Sequence, residues 1–210
     1  MSTMTGTVLF EHPDLGRIFT PQDFTRIISV PGRPAHRPPP GQFGLVVAVQ
    51  RRPIVEADGF LRRMALIWHS ITHNERVDAG AAQQAAALFS SSTTAFTAVA
   101  IASASLTKTK TDQSLGTASS GATTNEFTSL GLSRGAGTVS TYTAPSALGG
   151  QYAQLVTKTF TASGSGTAYG SGLFNSTTPA GSILYVEDNF GSTSVLVSGD
   201  TLQIAWTNNN

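Results

Sequence analysis

The chain has 210 residues, a net charge of +1 and 12% charged residues, about half the roughly 25% usual in soluble domains. The absence of cysteine excludes disulfides and thiolate metal sites, and the near-neutral balance gives no reason to expect a nucleic-acid or membrane partner. No apolar run approaches the roughly 20 residues of a membrane-spanning helix, and the first residues lack the basic start and apolar core of a secretory signal.

The N-terminal third differs from the rest. Nine of the 13 Lys and Arg residues lie in residues 1–78, all nine are Arg, and the four histidines (His12, His36, His69, His73) lie there too. Proline fixes φ and removes a donor, so the Pro-rich run Pro31–Gln42 is expected to be extended, with Arg33, His36 and Arg37 outward. Apolar pieces flank it at Val8–Phe10, Asp23–Val30 and Phe43–Val49, and the last is a β-branched run that predicts a strand closed by Arg51-Arg52 and Pro53. Residues 1–65 therefore read as an extended arm with a short strand, joined to a β domain over 66–210. Removing residues 1–55 is expected to leave that domain folded. The residues predicted to meet a partner are Arg33, Arg37, Phe43, Leu45, Val47, Arg51 and Arg52, with Phe43–Val49 adding a strand to a partner's sheet edge.

Phe60–Thr72 is compatible with helix or strand. Thr72-His73-Asn74-Glu75 fits a capping box, and the Ala- and Gln-rich stretch after it predicts one short helix over Arg76–Phe89. Thr94–Thr107 predicts a strand with Val99 and Ile101 toward the core, and Lys108–Thr124 a polar loop long enough to be functional or mobile. Gly137–Pro145 predicts another strand. From Tyr152 onward apolar pieces alternate with turn residues, ending in TLQIAWT, where Leu202, Ile204 and Trp206 share one strand face. Within this run Gly172-Leu173-Phe174 is expected to set a core side chain beside a close backbone approach. Ser198-Gly199-Asp200 is turn chemistry and predicts a hairpin between Val195–Val197 and Thr201–Thr207, with Asp200 bonding its own turn. Short strands spaced by Gly, Ser, Asn and Pro predict a mainly β chain, an antiparallel β-sandwich of jelly-roll or immunoglobulin-like type.

The sequence offers little catalytic chemistry. His69 and His73 have metal-ligand spacing on a helix, but the Glu of the zinc-protease motif HExxH is missing and the proposed cap separates them; an ordered turn is the favoured reading. Glu187-Asp188-Asn189 lacks the spacing of a calcium loop and reads as a solvated strand end. Ser163-Gly164-Ser165-Gly166 lacks the Lys and helix of a phosphate loop, and no spacing suggests a catalytic triad. Tyr142, Tyr152, Tyr169 and Tyr185 are the aromatics a sugar site would use, yet all lie in predicted strands. No enzyme activity, cofactor or metal is expected.

From Ile71 onward the layout resembles a group of small tailed-bacteriophage virion proteins. The shared pieces are Thr72-His73-Asn74 and the helix after it, Glu126, Gly131-Leu132-Ser133-Arg134, Lys158-Thr159-Phe160-Thr161-Ala162, Gly172-Leu173-Phe174-Asn175, Ser198-Gly199-Asp200-Thr201-Leu202 and Trp206-Thr207. The resemblance implies a virion component and carries over no catalytic residue. The expected role is a capsid decoration or cement protein that binds the major capsid protein through its arm. The alternatives are a neck or tail ring or fibre component, or a receptor- or glycan-binding module. A homo-oligomer is expected.

Overall fold

The computed structural model describes residues 44–55, 61–73, 75–82, 95–143 and 152–209. They form strands β1 (Gly44–Val55), β2 (Leu61–His73), β3 (Glu75–Arg76), β4 (Ala98–Ala102), β5 (Gly135–Ala136), β6 (Thr138–Thr143), β7 (Tyr152–Thr161), β8 (Gly166–Phe174), β9 (Leu184–Leu196) and β10 (Thr201–Asn209). Two five-stranded antiparallel sheets result, the first in the order β2-β1-β10-β7-β6 and the second in the order β3-β9-β8-β4-β5. The chain is thus mainly β, as composition and turn spacing predict. A helical turn over residues 78–82 leaves β3.

The core lies where the sheets share apolar faces. The first sheet supplies Val46, Ala48, Val156, Phe160, Leu202, Ile204 and Trp206; the second supplies Val99, Ile101, Leu173, Val186, Phe190 and Leu196. Period-2 alternation delivers this, and the predicted faces of β10 and β4 are those observed. At the centre, Trp206 Nε1 donates to Ser171 Oγ at 3.2 Å, and Ser171 Oγ donates to the Ala100 carbonyl at 2.8 Å. The largest core side chain therefore loses no hydrogen bond on burial.

The second sheet also buries its outer face. Ala98, Ala100 and Ala102 of β4, with Phe174 and Leu184, pack under Val77, Leu106 and Leu115. Small residues are needed because the covering chain comes close. A Cβ on Gly172 would lie 2.5 Å from Leu115 Cδ2, which bears out the close approach expected at Gly172-Leu173-Phe174. The loop predicted over Lys108–Thr124 is thus part of a layer over the sheet, with Leu115 at its apolar centre.

Several local expectations are corrected. The boundary at residue 65 cuts through β2, and β1 is no arm strand: it lies between β2 and β10, paired with both. Strand β1 also runs on through Pro53, because its pairing with β10 stops at Arg51 and no partner on that side needs an N–H beyond it. Of the stretch Phe60–Thr72, residues 61–72 are strand, paired with β1, and residue 60 lies outside the described residues. No capping box forms at Thr72, which is still in β2; Glu75 and Arg76 pair with Glu187 and Val186 of β9 instead. Helical backbone starts only at Asp78, with Ala81 N–H donating to Val77 O, since Val77 is held by the Tyr185 carbonyl. The rest of the predicted helix, residues 83–89, and residues 1–43 of the predicted arm lie outside the described residues. Ser198-Gly199-Asp200 does not close a hairpin: β9 and β10 belong to different sheets, and the turn carries the chain between them.

Because β1 is an interior strand, a chain that starts at residue 56 should show no cooperative urea unfolding, contrary to the sequence expectation for removal of residues 1–55. Trp206→Ala should cost about 3–5 kcal/mol in the same measurement, from the cavity it leaves and the partner removed from Ser171.

Candidate functional site

The predicted partner-binding residues separate in space. Arg33, Arg37 and Phe43 lie outside the described residues. Leu45 pairs with Thr207 and His73 inside the first sheet. Val47 is buried beside Val49, Leu155 and Ala205 on the outer face of that sheet, so it is not free to join a partner's sheet. Arg51 is buried, with Nη1 donating to Gln203 Oε1 at 3.5 Å. Arg52 is half exposed but is held by Asp200. The sequence shows arginines after a strand; it does not show that the strand is interior, where β10 and the turn before it supply Gln203 and Asp200 to hold them.

Asp200 is the first of three polar anchors. Its carboxylate accepts Arg52 Nε at 2.8 Å and Nη2 at 2.9 Å, Gln50 Nε2 at 2.7 Å and the Val197 N–H at 3.0 Å. Gln50 also donates to the Val195 carbonyl and accepts from Ser194 Oγ. Gly199, at φ +89°, lets the chain reverse. Burial alone would raise the Asp200 pKa; Arg52, the Val197 N–H and Gln50 together outweigh it and hold the carboxyl below its usual range. The predicted turn-bonding role of Asp200 is therefore present, and the tie to β1 is added to it.

The second anchor is Glu187-Asp188-Asn189. These residues are no solvated strand end, because Glu187 and Asp188 are buried beneath the covering layer. Each holds that layer at a different point. Glu187 Oε2 accepts the Gly116 N–H at 2.8 Å, Asp188 pairs with Lys108, and Asn189 bonds both the N–H and the carbonyl of Leu106 at 2.9 Å. Glu187 also shares a hydrogen bond with Asp112, whose carboxylate accepts the N–H and hydroxyl of Thr109. Burial first, then the bond to Asp112, pushes the Glu187 pKa up to about 8. Glu187 Oε1 is buried and accepts no hydrogen bond.

The third anchor is a buried ion pair. Arg134 donates through Nε and Nη2 to the two oxygens of Glu126, at 2.9 and 2.5 Å, and through Nη1 to Ser182 Oγ at 2.8 Å. Its guanidinium lies 3.6 Å from the centroid of the Phe174 ring. Gly131, at φ +72°, makes the turn that leads to it, and a Cβ there would lie 2.1 Å from the Thr161 carbonyl oxygen. Sequence reasoning singled out Glu126, Arg134 and Gly131 only as pieces of a resemblance. That the first two pair was not visible from a separation of eight residues in irregular chain.

His69 and His73 are both on β2, opposite Val49 and Leu45. On one strand, four residues apart means about 13 Å, so they cannot share a metal. The favoured turn reading is corrected as well: both belong to a strand. Burial pushes the His69 pKa below its usual value. Among the described residues no group of three or more His, Asp or Glu is placed to hold a metal ion. Of the tyrosines, Tyr185 is buried and stacks on Phe96 at 4.7 Å between centroids, the packing role expected of it. Tyr142 and Tyr152 lie on β6 and β7.

Two predictions follow from the anchors. Glu187 has a raised folded-state pKa, so its stabilising contribution is full below about 4.5, the unfolded value, and is lost as pH rises toward about 8. Thermal unfolding at pH 5 and pH 9 should show the wild type less stable at pH 9. Glu187→Gln, which keeps a donor toward Asp112, should flatten that difference. Arg134→Ala should lower stability by about 3–5 kcal/mol, because it leaves Glu126 buried and unpaired; replacing both residues by apolar ones should cost less, as equilibrium unfolding would show.

Comparison of the chain with protein-family models, with curated proteins and with solved structures gives no match.

Proposed function

We propose that the protein is a non-catalytic structural component of a tailed-phage virion, and that it decorates or cements the capsid by binding the major capsid protein. The two sheets are read as a jelly-roll or immunoglobulin-like sandwich, a reading supported by their shared apolar core. The observation that carries the function is the placement of charge. In a chain this poor in charge, Glu126, Arg134, Lys108, Asp112, Glu187, Asp188, Arg52 and Asp200 tie loops to sheets. Such anchoring suits a rigid architectural module and, among the residues whose exposure is described, leaves the surface mainly to Ser, Thr and Gly. The pieces in the resemblance to phage virion proteins include these same anchors: Glu126 with Arg134, Phe174 beneath it, and Asp200 in its turn.

Partner binding is assigned to the segment before β1, with Arg33 and Arg37, since Val47 and Arg51 are committed to the sheet. A chain starting at Gly44 keeps every described strand; it should unfold cooperatively yet fail to bind capsids in a co-sedimentation assay. Quantitative mass spectrometry of purified particles should give a copy number equal to that of the major capsid protein or a simple fraction of it. A ring-like value of about six or twelve would move the protein to the neck or tail, and absence from particles would overturn the reading.

A further inference from the structure

We propose that β6 is a self-association edge, through which two copies of this chain pair antiparallel and join their first sheets into one continuous sheet. This inference deepens the architectural reading and rests on it for its biological meaning, but not for its test.

The four sheet edges among the described residues differ sharply. In the second sheet the edges are β3 and β5, each two residues long and too short to template a partner. In the first sheet one edge is β2, which carries Arg62, Arg63, His69 and His73 and has two register shifts against β1. It is also covered, since β9 crosses to it: Gly191 N–H donates to Ser70 Oγ at 2.8 Å, Trp68 Nε1 donates to Ser192 Oγ at 2.9 Å, and Trp68 meets Phe190 edge-on. Charge, bulges and cover are the usual devices against edge pairing.

Strand β6 has none of them. Its sequence, TVSTYT, contains no charge and no proline, and its register with β7 runs from Thr138 to Thr143 without a shift. Among the described residues no strand pairs with its outer side. Val139 is 46% exposed there.

The occupant follows from symmetry. A two-fold axis perpendicular to a sheet keeps the outer face outward and sets one residue opposite its own copy. Centred on β6, it places Ser140 opposite Ser140 of the second copy, or Thr141 opposite its copy. In either register Thr, Ser, Val and Tyr stand opposite one another, types that pair well across strands, and no like charges meet. A partner of another kind would gain nothing from that self-compatibility.

The test uses the full purified chain in sedimentation velocity, without particles, so its outcome is independent of capsid binding. The wild type should sediment as a dimer. Ser140→Lys and Ser140→Glu place like charges opposite or diagonal to each other; each alone should weaken dimerisation at least tenfold, and an equimolar mixture should restore dimers. Val139→Lys is a second variant at the exposed position and should also give monomers, with circular dichroism confirming the fold. A monomeric wild type would overturn the proposal. So would dimers that persist in all three variants, or dimers lost in Ser140→Lys and Ser140→Glu but not restored on mixing.

Discussion

The two sheets are joined at Asp200, and much of the architecture depends on its carboxylate. The chain leaves the second sheet at the end of β9 and enters the first at β10 within a few residues. That step needs a reversal, which Gly199 allows, and a fixed exit direction, which the four bonds accepted by Asp200 impose. Two of its partners, Gln50 and Arg52, come from β1, so the strand farthest away in sequence is held at the same point. A carboxylate that is buried yet held below its ordinary pKa is well solvated by the protein, and this is what makes it a rigid joint.

The remaining charges follow a similar logic on the second sheet. A sheet with both faces buried needs a cover, and irregular chain must have its backbone groups satisfied. Glu187 and Asn189 supply that satisfaction from β9, Asp188 between them pairs with the Lys108 side chain, and Leu106 and Leu115 supply the apolar contact. Glu126 and Arg134 close the far side over Phe174. A buried pair of this kind adds little net stability over an apolar pair, but it fixes geometry, because either partner alone is costly. The alanines of β4 and Gly172 of β8 fit the same scheme: bulky residues would lift the cover off the sheet.

These features are the basis of the architectural role we propose. A module whose loops are tied down presents a constant surface to neighbours, and among the described residues one longer uncovered edge, beside a covered one and two of two residues each, gives that surface a direction. The resemblance to phage virion proteins and the positions of the anchors point the same way, since the shared pieces include residues that hold the fold.

What the sequence by itself determined is the mainly β class, the core faces of β4 and β10, strand over residues 44–49, the close approach at Gly172 and the turn role of Asp200. All of these rest on local physics: side-chain alternation, β-branching, and what glycine and aspartate do to a backbone. What only the tertiary structure decided is which strands become neighbours. Turn chemistry at Ser198–Asp200 looks the same whether the chain returns to its own sheet or crosses to the other. Residues 60–72 carry helical and strand periodicity alike until β1 is placed beside them. The capping signal at Thr72 yields because Glu75 and Arg76 gain partners on β9. The burial of Val47, Arg51, Glu187 and Asp188 likewise depends on chain far away in sequence, so no local pattern could mark them as interior.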